Sequence, residues 1–373
     1  MKDTILFGDC KETLSAFLPQ SARTCVTSPP YYGLRDYGTA TWVGGDPNCN
    51  HRRDSKVKPE NCNTGHKNHD EMYGVGDAIY KTVCPKCGAI RQDSQIGLEE
   101  SPEEYVESLV SVFREVRNIL TDDGTLWVNL GDSYYNYRPG KGQSYPKQSV
   151  SKTKQDLPDE CNKRGNKLDG LKEKDLIGIP WLFAFAMRKD GWYLRQDIIW
   201  HKPNPMPESV RDRCTKSHEY IFLFSKNRKY FYDNEAIKEP AKDWGTRDRT
   251  NGKYHNPGTG LAPHSGLSKS YPTKNKRSVW SVTVKPYKEA HFATYPPDLI
   301  EPCIKAGSEE GDTILDPFMG AGTTAAVAKS LNRYYIGCEL NEDYGNLIQK
   351  RIQDYHPVQE VSQEPCINIL DII

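Results

Sequence analysis

Two short segments near opposite ends of this 373-residue chain carry groups that could do chemistry together. Residues 27–31 read Thr-Ser-Pro-Pro-Tyr and present a hydroxyl, carbonyl oxygens and an aromatic ring on a turn stiffened by two prolines. Residues 316–324 read Asp-Pro-Phe-Met-Gly-Ala-Gly-Thr-Thr. The first segment can hold a polar group in a fixed orientation, and the glycine-rich second segment lets a ligand approach the backbone.

The glycine-rich segment lies between an apolar run at 313–315 and a helix of small residues at 324–331. An α/β fold uses this arrangement to bind a nucleotide-like ligand at the carboxyl ends of its strands, although a tight turn without a ligand is the alternative. The two threonines are expected to cap the helix. Glu339 ends the next predicted strand, where a carboxylate can accept both hydroxyls of a ribose. The residues predicted to bind the ligand are Asp316, Phe318, Gly320, Gly322, Thr323, Thr324 and Glu339.

The Ser-Pro-Pro-Tyr turn suits methylation of an exocyclic amine of a nucleobase. Such an amine is a poor nucleophile because its lone pair is delocalised into the ring, so acceptors must hold its protons and aim it at the methyl donor. Ser28 Oγ and the Pro29 carbonyl are suitable acceptors, Pro30 stiffens the turn, and Tyr31 can stack on the base. The base would have to leave the duplex to be reached. A polar loop that merely contains prolines is the alternative.

The pair of motifs, Ser-Pro-Pro-Tyr at 28–31 and Asp-Pro-Phe-x-Gly-x-Gly-Thr-Thr at 316–324, resembles the amino-methyltransferases of restriction-modification systems and phages. The order, catalytic motif first and cofactor motif last, is that of the β-class. The resemblance implies a Rossmann-like methyltransferase core, S-adenosylmethionine as cofactor, double-stranded DNA as partner and a cognate restriction endonuclease as a second partner. It further implies that Asp9 and Cys10 lie beside the cofactor adenine and that Phe292 lies near the cofactor.

The sequence Val-Thr-Ser-Pro-Pro-Tyr resembles the cytosine-N4 subgroup more than the adenine-N6 subgroup, which usually has Asp in place of Ser28. Adenine N6 is the close alternative, since either acceptor can serve either amine. Methylation of protein glutamine or RNA, and a catalytically silent zinc-containing DNA-binding protein, are more distant alternatives. Cytosine-C5 chemistry would need a Pro-Cys nucleophile. The two Pro-Cys pairs place Cys303 in a predicted helix and Cys366 in the tail, so both are interpreted as structural.

A zinc site is predicted from cysteine spacing. Cys84 and Cys87 form a Cys-x-x-Cys knuckle, and Cys49 with His51 can complete a tetrahedral Cys₃His set. The surrounding segment is poor in apolar residues and needs such a clip to fold. Competing ligands for the second pair are Cys62, His66 and His69, and unrelated reduced thiols are the alternative.

The segment 244–288 holds nine Lys or Arg residues, and Asp248 is its sole acidic residue. Aromatic residues are interleaved with these charges, as phosphate contact and stacking require. The resemblance places target recognition at this position, and a solvated polar loop is the alternative. The residues predicted to bind DNA are Lys202, Arg211, Arg213, Lys274, Lys276 and Arg277.

The elements that position these residues alternate between strands and helices, which predicts an α/β fold with a mixed, mostly parallel, doubly wound sheet. Ser101 and Glu104 form a capping box for a long amphipathic helix, and residues 122–124 are predicted to turn the chain into a strand at 125–130. The predicted divisions are 1–41 for the catalytic half, 42–94 for the zinc-binding insertion, 95–243 for the rest of the catalytic half with a mobile loop at about 136–174, 244–288 for target recognition, 289–356 for the cofactor half and 357–373 for a tail.

The composition limits the classes of protein to which the chain can belong. Lysine plus arginine and aspartate plus glutamate each number 50, so the zero net charge neither supports nor excludes a nucleic-acid partner. The 11 cysteines are odd in number and irregularly spaced, which argues against a disulfide framework. No membrane association is expected, because no apolar run is long enough to span a bilayer and the first residues lack the apolar core of a signal peptide. A cytoplasmic protein of a bacterium or a phage-infected host is expected.

Overall fold

The central feature is an eight-stranded mixed sheet, seen in a computed structural model that describes residues 2–33, 39–51, 83–135, 168, 170–241, 272–285 and 294–356. The strand order is β1-β12-β11-β2-β5-β7-β6-β10. The strands are β1 Thr4–Phe7, β2 Ala22–Thr27, β3 Thr41–Val43, β4 Ile90–Gln92, β5 Leu120–Leu130, β6 Tyr193–His201, β7 His218–Ser225, β8 Glu239–Pro240, β9 Thr273–Lys274, β10 Val279–Ser281, β11 Thr313–Asp316 and β12 Tyr334–Glu339. Strands β3 and β4 form one small antiparallel ribbon, and β8 and β9 form another.

Most neighbouring strands in the large sheet are parallel. The pairs from β1 through β12, β11 and β2 to β5 are all parallel, as is the pair of β6 and β10. Strand β7 runs antiparallel to both β5 and β6. The predicted α/β class with a mixed, mostly parallel sheet is therefore confirmed.

Helices cover both faces of this sheet. They are α1 Cys10–Thr13, α2 Pro102–Ile119, α3 Ile179–Lys189, α4 Pro297–Gly307, α5 Thr323–Ser330 and α6 Tyr344–Asp354. One buried apolar cluster contains side chains of α1, α2 and α3, and the other contains side chains of α4, α5 and α6. Because each cluster also includes strand residues, the sheet separates two cores, which is the doubly wound arrangement.

Helix α2 begins as the sequence predicts and reaches the catalytic turn. The Ser101 side chain accepts the backbone N–H of Glu104 at 3.2 Å, while the Glu104 carboxylate accepts the N–H of Glu100 rather than that of Ser101. From the buried face of this helix, the Tyr105 hydroxyl donates to the Pro30 carbonyl at 2.8 Å. The helix therefore positions the Pro-Pro turn directly.

The prediction that residues 122–124 form a turn before a strand is wrong, because these residues lie inside the strand. Strand β5 runs without interruption from Leu120 to Leu130, and its pairing with β2 jumps from Leu120 opposite Ala22 to Thr125 opposite Thr24. The extra residues bulge out of the ladder. Arg23 forms an ion pair with Asp123 in this bulge, so tertiary contacts hold it inside one strand.

Several predictions fall outside the described residues: most of the loop at 136–174, most of the segment 244–288, the tail at 357–373, the alternative metal ligands at 62–69, and Phe292. The division boundaries therefore stay predictions. Within the described part of the chain, no helix is both long enough and apolar enough to cross a membrane.

Candidate active site

The two halves of the predicted site meet because β2 and β11 are neighbours. Cys25 lies opposite Leu315 in a parallel pair, so the residues after both strands emerge at the same edge of the sheet. A cavity of about 380 Å³ lies at this edge, within the usual size range of small-molecule sites. Its lining includes Ser28 and Tyr31 from one half and Phe318 and Glu339 from the other.

Asp316 joins the two halves without lining the cavity. Its fully buried carboxylate accepts the Thr27 hydroxyl at 2.6 Å, the Phe318 N–H at 3.0 Å, the Thr324 hydroxyl at 2.5 Å and the Tyr295 hydroxyl at 3.1 Å. Burial raises the pKa of Asp316, and these hydrogen bonds oppose the rise. With its oxygens occupied by protein donors, Asp316 holds the turn in place, and its predicted contact with the ligand stays a prediction.

The glycine-rich turn needs its glycines for different reasons. Gly320 and Gly322 have φ values of 56° and 80°, in the left-handed region. A Cβ at Gly322 would lie 2.8 Å from Ile348 Cγ2 of helix α6, whereas a Cβ at Gly320 would meet only the Phe318 carbonyl oxygen, at 3.9 Å. Gly322 therefore allows α6 to pack closely, and Gly320 lies at the open, cavity-lining side.

The predicted threonine caps are wrong. Gly322 is the N-cap of α5, and a glycine has no side chain with which to cap the helix. The Thr324 hydroxyl instead donates to Asp316, because the turn brings that buried carboxylate within 2.5 Å. Of the two threonines, Thr323 lines the cavity.

Glu339 is poised at the cofactor end of the cavity. Oε2 accepts the Gly320 N–H at 2.7 Å, and Oε1 accepts the Asn341 N–H at 2.9 Å. Burial raises the pKa of Glu339 to about 7, with the Asp316 charge adding to the rise and the two backbone N–H groups opposing it. Glu339 lines the cavity, and a carboxylate at the end of this strand suits a ribose diol.

Asp9 and Cys10, which the resemblance assigns to the adenine subsite, line the same cavity. Asp9 caps α1 by accepting the Lys11 N–H at 2.9 Å. The preceding Gly8 donates its N–H to the Glu339 carbonyl at 2.9 Å, which ties this turn to the end of β12. Burial raises the pKa of the Cys10 thiol well above its usual range. The thiol is therefore neutral and presents an apolar surface to the cavity.

The Tyr31 ring is held in the cavity wall. Its hydroxyl lies 2.7 Å from Glu219 Oε2 and 3.1 Å from Asn129 Oδ1. A Cβ added to Gly131 would lie 2.5 Å from Tyr31 Cε2, so only glycine admits the ring here. Tyr31 is thus fixed at both its edge and its hydroxyl, whereas the sequence predicts a role in stacking alone.

Lys202 lies in this wall rather than among surface charges. Its ammonium forms an ion pair with Glu219 and lies 4.3 Å from the centroid of the Trp200 ring. Lys202, Glu219, Trp200 and Asn129 all line the cavity. The sequence did not single out Glu219, Trp200, Asn129 or Tyr295 as site residues. One pattern could have indicated the site: Asn129 is a polar residue within an apolar strand.

The other residues predicted to bind DNA lie elsewhere. Arg211 is exposed, and the Arg213 guanidinium lies 3.8 Å from the Tyr134 ring centroid while bonding Glu208 at 2.7 Å. Lys274 belongs to β9. Lys276 and Arg277 share one acidic partner, Glu239, at 3.5 and 3.8 Å, which partly offsets their charge.

The structure brings the predicted metal ligands together. The ligand atoms of Cys49, His51, Cys84 and Cys87 all lie within 4.8 Å of one another. Cys49 Sγ and Cys84 Sγ are 3.7 Å apart, and Cys87 Sγ lies 3.5 Å from His51 Nδ1. Tetrahedral zinc would require about 3.8 Å between sulfurs and about 3.6 Å between sulfur and nitrogen, so this geometry fits zinc. Trp42 stacks on the His51 ring at a centroid distance of 4.3 Å.

Comparison with known proteins defines the class. The family model described as "DNA methylase", which covers N6 and N4 enzymes, matches residues 22–350. The chain therefore belongs to the family of S-adenosylmethionine-dependent DNA amino-methyltransferases.

Two similar relatives are type II methyltransferases. M.XycI of Xanthomonas campestris pv. cyanopsidis is 39% identical over 94% of this chain and 87% of its own length. M.SmaI of Serratia marcescens is 38% identical over 93% of this chain and 90% of its own length. The solved structure titled PvuII DNA methyltransferase (cytosine-N4-specific) has a TM-score of 0.54 and 15% identity, and the match covers 96% of this chain and 89% of that one. This last likeness supports the Rossmann-like methyltransferase fold.

Proposed function

We propose that this protein transfers a methyl group from S-adenosylmethionine to the exocyclic N4 of a cytosine that has left the DNA duplex. The observation that carries the proposal is Ser28, a hydroxyl rather than a carboxylate, in the wall of the cavity that also contains Glu339. The solved relative whose title specifies cytosine N4 supports the same base.

The cofactor end would be formed by Asp9, Cys10, Phe318, Gly320 and Glu339, which all line the cavity. When bound, S-adenosylmethionine supplies an electrophilic methyl group on a sulfonium. Glu339 accepts the ribose hydroxyls, and the open side of Gly320 leaves room beside the backbone.

The base end would be formed by the Ser-Pro-Pro-Tyr turn. Ser28 Oγ and the Pro29 carbonyl accept the two amine protons and aim the nitrogen lone pair at the methyl carbon. Pro30 is held by Tyr105 through its carbonyl, so the acceptors are preorganised. Trp200 and Tyr31 supply aromatic surface for the base.

Contacts to the DNA backbone are assigned to the basic residues outside the cavity. These are Arg211, Arg213, Lys274, Lys276 and Arg277. Lys202 is assigned to the base end instead, since its ammonium lies in the cavity wall beside Glu219. Phosphate contacts of this kind make DNA affinity fall with salt.

The Cys49, His51, Cys84 and Cys87 cluster is assigned to one structural zinc, which would clip the insertion that follows β3. The type II names of the relatives support a cognate restriction endonuclease as a functional partner. The site of action is then the cytoplasm of a bacterial or phage-infected cell.

Mass spectrometry of nucleosides tests the proposal. DNA from a methylation-free host that expresses the chain should contain N4-methylcytosine, whereas the Gly320→Val variant should give none because its cofactor turn is blocked. N6-methyladenine alone would move the target to adenine within the same family. Absence of both products, with cofactor binding intact by calorimetry, would overturn the proposal.

A further inference from the structure

Residues 93–97 link the Cys/His cluster to the Ser-Pro-Pro-Tyr turn, and the function described so far does not use them. The segment begins where β4 ends, and all of β4 pairs with β3 in the small antiparallel ribbon. The turn after β3 packs closely on the cluster, because a Cβ added to Gly45 would lie 2.8 Å from Cys87 Sγ. The segment therefore leaves a ribbon that is in direct contact with the predicted metal ligands.

Asp93 anchors the start of the segment. One of its carboxylate oxygens pairs with the Arg91 guanidinium at 2.9 Å, and both side chains are largely buried. The other oxygen accepts the Gln95 backbone N–H at 3.1 Å and the Thr39 hydroxyl at 3.4 Å. Since Thr39 precedes β3 and Asp93 follows β4, the backbone of Gln95 is held from both sides of the ribbon.

Gly97 anchors the other end of the segment on the Ser-Pro-Pro-Tyr turn. A Cβ added to Gly97 would lie 3.0 Å from the Tyr31 carbonyl oxygen and 3.5 Å from Pro30 Cβ, so the two backbones pack in close contact. The Gly97 carbonyl also accepts the Gly33 N–H at 2.8 Å. These contacts place the segment at the base end of the cavity.

Gln95 lies between the two anchors and carries its amide into the cavity wall. Gln95 is 7% exposed and lines the cavity. Burial of an amide is unfavourable unless the amide forms hydrogen bonds. A glutamine amide has two N–H donors and an oxygen with two lone pairs, so it can bind a ligand while it keeps a contact within the protein.

The chemistry of the proposed target calls for a donor at this end of the cavity. Once Ser28 and Pro29 hold the N4 amine, the edge of cytosine still presents N3 and O2, which are both acceptors, and flipped bases are read at this edge. Adenine presents one acceptor and a C–H group there. Asn129 also lines the cavity, but its N–H groups donate within the wall, to Glu219 at 3.3 Å and to the Tyr220 carbonyl at 3.1 Å.

We propose that Gln95 reads the target base by donating its amide N–H groups to N3 and O2 of the flipped cytosine. The β3–β4 ribbon and its Cys/His cluster hold Gln95 in place, so the insertion contributes directly to base recognition. This proposal rests on the proposed amino-methyltransferase activity. Gln95 is a specificity-determining residue, since it contacts the base at atoms that do not react.

Steady-state methylation of a duplex oligonucleotide that contains the methylated site tests this role. Gln95→Leu removes the amide from a side chain of similar size, and Gln92→Leu makes the same change at an exposed glutamine of β4 as the matched control. Gln95→Leu should lower kcat/KM for the duplex by about 10- to 100-fold, as expected when buried acceptors lose their donors. Its affinity for S-adenosylmethionine, measured by calorimetry, should equal that of the wild-type protein, and Gln92→Leu should change neither quantity.

A comparison of two duplexes separates base reading from a purely structural role. S-adenosylhomocysteine, which has no methyl group to transfer, allows binding to be measured without reaction. Gln95→Leu should bind the duplex with the target cytosine about tenfold more weakly than the wild-type protein does. The two proteins should bind the same duplex equally well when the target position is abasic, because no base remains for Gln95 to contact.

A wild-type kcat/KM in Gln95→Leu, an equal loss of affinity for the abasic duplex, or a loss of cofactor affinity would each overturn the proposal. If Gln95→Leu does not fold, Gln95→Met decides, because its unbranched side chain adapts to the same space. A wild-type ratio of the two duplex affinities in Gln95→Met would then overturn the proposal. Failure of the proposed function is distinct, since it appears as the wrong product from the wild-type protein.

Discussion

Cofactor affinity should depend on pH through Glu339. The pKa of this carboxyl is raised to about 7, and only the ionised form can accept both ribose hydroxyls. About a tenth of the free protein is then competent at pH 6 and about nine tenths at pH 8. The dissociation constant for S-adenosylmethionine should therefore be about tenfold larger at pH 6 than at pH 8.

Isothermal titration calorimetry at pH 6, 7 and 8 measures this dependence. Repeating each titration in two buffers that differ in ionisation enthalpy counts the protons released, which should approach one per site at pH 6. Glu339→Gln is the matched control, since it also accounts for any titration of the cofactor's own amine. At pH 8 this variant should bind about 10- to 150-fold more weakly, from the loss of about 1.5–3 kcal/mol of charge-assisted hydrogen bonding.

If wild-type affinity were flat from pH 6 to pH 8, or if Glu339→Gln kept the same tenfold dependence, Glu339 would not be the group whose ionisation gates the ribose site. Raised affinity at pH 6 would contradict the sign, because binding to an ionised carboxylate releases protons and is favoured by higher pH.

Cys87→Ser should release one zinc per chain and lower the unfolding temperature, which metal analysis and thermal unfolding would measure. Wild-type protein that is purified without chelator and contains no zinc would refute the site. Gly322→Ala forces a side chain into φ 80° and places a methyl carbon 2.8 Å from α6, so denaturant unfolding should show a loss of at least about 1–2 kcal/mol. Alanine at Lys274, Lys276 and Arg277 together should weaken DNA binding and flatten its salt dependence in titrations at several ionic strengths. Impaired cofactor binding with intact DNA binding in that triple variant would refute the assignment.

Features set by local sequence could be predicted. The start of α2 follows from Ser101 and the adjacent proline, whose effects reach only across one helical turn. The two halves of the site could also be paired, because the residues that follow parallel strands gather at one edge of a sheet. The Cys-x-His and Cys-x-x-Cys spacing likewise indicated which four ligand atoms would approach one another.

Features set by long-range packing could not be predicted. The ion pair of Lys202 with Glu219 was missed because Glu219 comes from the next strand and no local pattern links the two residues. Thr324 resembled a helix cap, yet a buried carboxylate eight residues away binds its hydroxyl. The bulge at 122–124 resembled an ordinary turn because its ion pair to Arg23 lies about 100 residues away in sequence.

The strand order has a consequence for synthesis. Strands β1 and β2 leave the ribosome first, but β12 and β11 lie between them in the sheet. Within the part of the chain that the structure describes, β1 pairs with β12 alone, so this pairing cannot form until residue 339 has been made. Glu339 ends that late strand, and Asp9 follows the early one. The cofactor site is therefore among the last parts of the protein to form, and a chain arrested before β12 could not be rescued by S-adenosylmethionine.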